Sequence, residues 1–375
     1  MMRSKIACSI LRGGTSKGLY LLEQDLPPAG KERDDLLLRV MGSPDIKQID
    51  GLGGAASVTS KVAMLALSTR PGVDVDYTFA QVSIDKPIVS YAGNCGNISS
   101  GVGPFAIESG LVKAQDGETL VRIFNTNTQK LIVEKVCTPN REVCYEGDFA
   151  IAGVPGTAAP IQIIVDDPGG SVFGKVLPTG NPVDILLIPE YGELTVSIVD
   201  VTNPLVFIKA SDIGLSGMEL PDDINGDIKL LDLLERIRGV AAQRLGLVDD
   251  YHEAKYKTPG VPKMTFVASA DDYVSTTGEH IHEEQIDLLG RMMSMQKAHP
   301  TYAMTGAMCT AAAAAIPGTV VNQNCKKGAD LGRLRIGHPS GILEVGVDVS
   351  ESESKILRTY GYRTARLLMT GVAFY

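Results

Sequence analysis

Two stretches of this chain have helical character yet almost no bulk, and they constrain what it can fold into. They are NCGNISSGVGPFAIESGLV (Asn94–Val112) and AMTGAMCTAAAAAIPGTVV (Ala303–Val321). Both enter with Gly or Thr-Gly beside a polar or sulfur-bearing residue and leave through Gly. Helices built from Ala, Gly and Ser suit places where backbones approach closely, such as the inside of a curled sheet. Strand-like alternation precedes each of them, DVDYTFAQVSI and KPIVSYAG before the first and PKMTFVAS before the second. The repetition implies an internal duplication. The expected fold is α+β, with two similar domains, each a barrel-like sheet around a central helix. The active site is expected in the cleft between them, where both helix N-termini point. At 375 residues the chain exceeds one comfortable core. The expected division is 1–183 and 184–356, with 357–375 returning to the first domain.

Other segments are read from periodicity. Ile6–Leu22 reads as strand, glycine turn, strand. Helices are expected over Asp34–Met41, Ala56–Ser68, Asn97–Gly110, Asp227–Leu245, Glu284–Met295 and Thr305–Ala315. LVRIFNTNTQKLIVEKV, REVCYEGDFAIAG and IQIIVDD read as strands, and Gly332–Ser350 as a hairpin-like pair.

A net charge of -9 argues against non-specific nucleic-acid binding, which needs a basic surface. No apolar run is long enough to span a bilayer, and MMRSKIACSILRGG has no long apolar core, so neither membrane nor leader is expected. The six cysteines are scattered and form no CxxC, which suits reduced thiols in the cytoplasm. A homo-oligomer is the expectation for an enzyme of this size.

Chemistry is expected at two glycine-flanked polar clusters placed at helix starts. One is DGLGGAASVTSKVAML (Asp50–Leu65), which contains Lys61; the other is YAGNCGNISSGVGPFAIESG (Tyr91–Gly110), which contains Cys95. Gly93, Asn94, Gly96 and Asn97 are not core residues. A thiol among them, at the N-terminus of a helix, should be acidic. Lys61 has Val58, Val62, Ala63, Met64 and Leu65 around it. Entering a desolvated cleft, it would exchange protons near neutrality, whereas on a solvated helix face it would merely snorkel. The turn RGGTSKG (Arg12–Gly18) lacks phosphate-loop spacing, so it reads as a carboxylate clamp or as a plain hairpin turn. His280 and His282 have no neighbours that complete a metal site, and no metal or cofactor is expected.

Taken in order, RGGTSKG, DGLGGAASVTSKVA (Asp50–Ala63), GNCGN (Gly93–Asn97), PTGN (Pro178–Asn181), TNPLVF (Thr202–Phe207), MTGAMCTAAAAAIPGTVVN (Met304–Asn322) and RIGHPSG (Arg335–Gly341) resemble the PrpF-like isomerase family through nearly the whole chain. The resemblance implies a diaminopimelate epimerase-like fold. It also implies cofactor-independent movement of a proton across a small allylic di- or tricarboxylate, with Cys95 and Lys61 as the acid–base pair. Members isomerise 3-methylitaconate or 2-methylaconitate, or tautomerise 4-oxalomesaconate, and the first reaction is favoured here. Epimerases of this fold use one cysteine per domain, but here the second position falls near Met304, which cannot carry a proton. The expected carboxylate contacts are Thr15, Ser16, Gly53, Gly54, Asn97, Thr305, Gly306 and Ser340. The non-enzyme alternative is a carboxylate-binding protein of the same fold.

Overall fold

The computed structural model describes residues 4–350 and 355–375. Two compact units emerge. The first runs to Ile164 and takes back Tyr362–Tyr375; the second is Val165–Gly361.

The first unit carries β1 (Lys5–Gly13), β2 (Ser16–Leu22), α1 (Lys31–Met41), β3 (Lys61–Leu67), β4 (Val75–Val82), β5 (Val89–Ser90), α2 (Gly96–Ser99), α3 (Val102–Glu108), β6 (Gly117–Asn125), β7 (Lys130–Thr138) and the start of β8 (Pro160–Asp166). The second carries β9 (Asp184–Ile188), β10 (Gly192–Val201), β11 (Asn203–Lys209), α4 (Pro221–Gly226), α5 (Ile228–Arg244), α6 (Ala254–Lys257), β12 (Lys263–Ala268), β13 (Tyr273–Val274), β14 (His280–Ile281), β15 (Leu288–Ser294), β16 (Lys297–Ala298), α7 (Met304–Ala315), α8 (Val320–Asn324), β17 (Leu334–His338), β18 (Gly341–Val349) and the start of β19 (Ile356–Phe374).

Strand pairing reveals the duplication. In the first unit β1–β2 is antiparallel, β2–β3 parallel, β3–β4 antiparallel, β4–β6 parallel and β6–β7 antiparallel. In the second the same alternation runs through β10–β11, β11–β12, β12–β15, β15–β17 and β17–β18. The small-residue helices occupy matching places, α2 and α3 before β6 and α7 before β17. In α7 every residue from Met304 to Ala314 is buried, as a helix enclosed by its sheet requires.

Larger helices cover the other sheet faces. Leu36, Leu37, Val40 and Met41 of α1 join Val62 and Met64 of β3 in one core cluster. Leu234, Ile237 and Ala241 of α5 join Ile198, Val206 and Met264 in another. The α5 start is fixed by Asp227, whose carboxylate accepts the N–H groups of Lys229 and Leu230 at 2.9 and 3.0 Å.

Three expectations fail. Ala56–Ser68 is not a helix: a bend leads into β3, and Lys61 is the first residue of that strand. Glu284–Met295 is a single 3-10 turn followed by β15. Both strands bury successive residues on both faces, Lys61–Leu65 in β3 and Leu288–Met293 in β15. A strand paired in parallel and covered on both sides reads as an unbroken apolar run, which periodicity does not separate from a helix. REVCYEGDFAIAG forms no continuous strands; one isolated bridge joins Phe149 to Ala158 there. Asn140 just before it and Arg141 at its start take positive φ, as do Gly153 at its end and Gly156 beyond. The helix expected over Asn97–Gly110 is present as two pieces, α2 and α3, separated at Ser100 and Gly101.

Candidate active site

The β1–β2 hairpin carries the RGGTSKG turn. Gly14 at its tip has φ 50°, and its N–H donates to the Thr364 carbonyl at 2.8 Å. The Arg12 guanidinium donates to Gly14 O, Thr364 O and Thr364 Oγ1 at 2.9–3.0 Å. Arg12 therefore holds the turn in shape. Ser16 is buried at the start of β2, and its hydroxyl meets no hydrogen-bonding partner among the described residues.

Lys61 is 8% exposed. Its Nζ donates to Gln81 Oε1 at 2.5 Å and lies 5.2 Å from the centre of the Phe79 ring. Gln81 cannot rotate freely, because its Nε2 donates to Ser60 O at 2.8 Å and Ser57 O at 3.2 Å. The ammonium thus faces a fixed neutral amide, and among the described residues no carboxylate forms an ion pair with it. The strand start is tightly seated. A Cβ at Gly18 would stand 2.6 Å from Lys61 O and 3.1 Å from Ile98 Cδ1, so the Lys61 backbone and α2 flank the same glycine.

Cys95 is a partly buried free thiol at the N-cap of α2. Its backbone N–H donates to Asn94 Oδ1 at 2.7 Å, and its carbonyl accepts Ser99 N–H at 2.9 Å. The helix behind it is one turn of four residues, not the long helix expected, so the dipole argument loses most of its force. Buried phenols lie near the thiol. Tyr20 and Tyr77, both fully buried, are pushed well above ordinary tyrosine values by burial, and both are near enough to Cys95 and Glu134 to feel their charge. The Tyr20 hydroxyl donates to Ile98 O at 2.6 Å, tying α2 to β2.

Asn97 is buried beside Cys95, and its Oδ1 accepts from Arg363 Nε at 3.0 Å and from Thr15 N–H at 3.4 Å. The other expected contacts differ in availability. Gly53 N–H already donates to Met41 O at 3.2 Å. The Gly53–Gly54 loop is organised by buried Gln48, whose Oε1 accepts Ala55 N–H at 2.9 Å and whose Nε2 donates to Ser60 Oγ at 2.7 Å.

In the second unit, Thr305 and Gly306 lie in the first turn of α7. The Thr305 hydroxyl is buried without a partner among the described residues, while its carbonyl accepts Thr202 Oγ1 at 2.7 Å. Ser340 donates its hydroxyl proton to Pro300 O at 2.7 Å, and its N–H meets His338 Nδ1 at 3.2 Å. The residue in the Cys95 position, the N-cap of α7, is Ala303, followed by Met304. Neither carries a proton, so the second unit has no counterpart of the thiol at that place. Among the described residues no group of three or more His, Cys, Asp or Glu could hold a metal ion.

The sequence-level reading passed over Gln81, Gln48, Glu134 and Arg363. All four are polar residues embedded in strand or loop patterns and carry no local motif. The burial of Gln48, Glu134 and Arg363, and the bonds of partly buried Gln81 to Lys61 and Ser60, are visible only in the fold and are what mark them.

The PrpF protein family model matches residues 3–375. The chain belongs to the PrpF family. It is 47% identical over 371 residues to the 3-methylitaconate isomerase of Eubacterium barkeri, covering 99% of this chain and 97% of that one. It is 43% identical to the 2-methyl-aconitate isomerase of Cupriavidus necator, covering 98% and 96%. A crystal structure of methylitaconate-delta-isomerase superposes with a TM-score of 0.84 at 46% identity, over 100% of this chain and 96% of that one. This PrpF member is an isomerase of small unsaturated acids with a diaminopimelate epimerase-like fold. Among its described residues no helix is long and apolar enough to cross a membrane.

Proposed function

We propose that the protein moves a proton within a small unsaturated dicarboxylate, converting 3-methylitaconate to 2,3-dimethylmaleate, with Cys95 and Lys61 as the two proton carriers. The observation that carries the assignment is the setting of Lys61. It is a buried ammonium held by an oriented neutral amide, in the same unit as a thiol at a helix cap. Among the described residues no carboxylate is paired with the amine, and its hydrogen-bond partner is a neutral amide oxygen.

One of the pair removes the proton α to a carboxylate, and negative charge spreads through the dienolate onto that carboxylate. The other then protonates the γ carbon. In the reverse direction the roles exchange, so neither residue is acid or base in both directions. Thr15, Ser16, Gly54 and Asn97 supply donors for the charged carboxylate in the first unit, where Gly53 shapes the loop. Thr305, Gly306 and Ser340 remain the second unit's candidates.

Similarity to the Eubacterium barkeri enzyme supports this substrate over 2-methylaconitate and 4-oxalomesaconate. The expected result of a three-substrate comparison is a kcat/KM for 3-methylitaconate at least ~10-fold above either other acid, about 1.4 kcal/mol of discrimination. A preference for either tricarboxylate-type acid would move the substrate and keep the proton chemistry.

A further inference from the structure

Arg363 is 4% exposed, in the part of β19 that belongs to the first unit. It has no acidic partner among the described residues. Instead Nε donates to Asn97 Oδ1 at 3.0 Å, and Nη1 donates to the carbonyl of Tyr362 at 3.0 Å. Burial pushes its pKa down to about 10, which leaves it charged at neutral pH. Cys95 is near enough for its charge to act on the guanidinium.

The surroundings leave Asn97 little freedom. A Cβ at Gly14 would stand 2.3 Å from Asn97 Oδ1 and 3.0 Å from Arg363 Cδ. A Cβ at Gly13 would stand 2.4 Å from Asn97 O. The two hairpin glycines therefore press on both the side chain and the backbone of Asn97. The amide orientation is dictated by chemistry. A guanidinium has donors and no acceptor, and a backbone N–H is a donor too. Only the amide oxygen satisfies Arg363 Nε–H and Thr15 N–H together, so the amide NH2 sits on the other branch of the side chain.

We infer that Arg363 is a positioning residue for the isomerase. It locks the Asn97 amide with oxygen inward, so that the NH2 serves as a donor to a substrate carboxylate beside Cys95. This rests on the reading that the ligand is a small unsaturated carboxylate. A buried, charged arginine serves this purpose well because it cannot become an acceptor, and so does not let the amide flip.

The test separates folding from ligand recognition. Asn97→Asp keeps an acceptor for Arg363 and Thr15 but replaces the outward donor by an anionic oxygen. Its thermal midpoint should equal or exceed the wild-type value, while its Kd for 2,3-dimethylmaleate, measured by titration calorimetry, rises at least ~10-fold. Arg363→Met should also weaken binding, and Arg363→Lys, which restores a donor and the charge, should recover most of it. Wild-type affinity in Asn97→Asp, or a thermal midpoint well below wild type in that variant, overturns the inference. So does failure of the wild-type protein to bind the acid. The function reading fails separately, if the wild type binds 2,3-dimethylmaleate but turns over none of the three acids. The binding comparison of Asn97→Asp, Arg363→Met and Arg363→Lys still decides the role of Arg363 in that case.

Discussion

Cys95→Ala and Lys61→Ala should each lower kcat for 3-methylitaconate by at least ~100-fold, about 2.7 kcal/mol of transition-state stabilisation. KM should change much less, because proton transfer is an interaction made in the transition state and not in the bound ground state. The two losses should not add. Once either carrier is missing the proton cannot complete its path, so the double variant should be close to the worse single one. Steady-state kinetics on all three variants, with circular dichroism to confirm folding, checks this. Near-normal rates in both single variants would remove Cys95 and Lys61 from the mechanism. Lys61→Ala also leaves Gln81 Oε1 without its donor. Lys61→Met, which keeps most of the stem, is therefore the cleaner companion.

The second large effect concerns stability. Glu134 on β7 is 0% exposed. Its Oε2 accepts Gly103 N–H at 2.8 Å at the start of α3, and its Oε1 meets no hydrogen-bonding partner among the described residues. Burial raises its pKa from 4.5 to about 8, against a smaller lowering from the Gly103 hydrogen bond. The unfolded chain loses this proton near 4.5 and the folded chain keeps it to about 8. The contribution is therefore fully present below pH 4.5, falls as pH rises and is lost above about 8. At about 1.4 kcal/mol per unit, less the partial titration at either end of the window, the loss between pH 4.5 and 8 is roughly 4 kcal/mol. Glu134→Gln keeps the acceptor for Gly103 and has nothing to titrate. Its unfolding free energy relative to wild type should rise by roughly 4 kcal/mol between pH 4.5 and pH 9. Urea unfolding at the two pH values reads this directly, and a constant difference would mean that Glu134 is ionised in the folded protein well below pH 8.

The residues behind these two predictions differ in how visible they are from sequence. Cys95 and Lys61 stand out locally, one a thiol among glycines and asparagines, the other a charge set against an apolar run. The helices α1 and α5 announce themselves by spacing, and α5 also by its Asp227 cap. The small-residue composition of Asn94–Val112 and Ala303–Val321 carries the duplication, which the strand pairing then makes explicit. What local pattern does not convey is two-sided burial. Lys61–Leu65 and Leu288–Met293 are covered on both faces, so the alternation that marks a strand is erased. Nor does it convey partners far apart in the chain. Arg363 meets Asn97 across 266 positions because β19 pairs with β1, whose hairpin tip rests on Asn97. Glu134 looks like one more polar residue on an alternating strand, GETLVRIFN and KLIVEKVCT, yet it is on the inward side.

At the centre of the proposed function is a proton removed from one carbon and returned to another through groups that exchange with solvent. Proton NMR of 3-methylitaconate with the enzyme in deuterated water tests it most directly. The predicted result is loss of the vinyl signals and growth of a 2,3-dimethylmaleate methyl that carries deuterium. Persistent vinyl signals with no deuterium in the ligand, for this acid and equally for 2-methylaconitate and 4-oxalomesaconate, would contradict it.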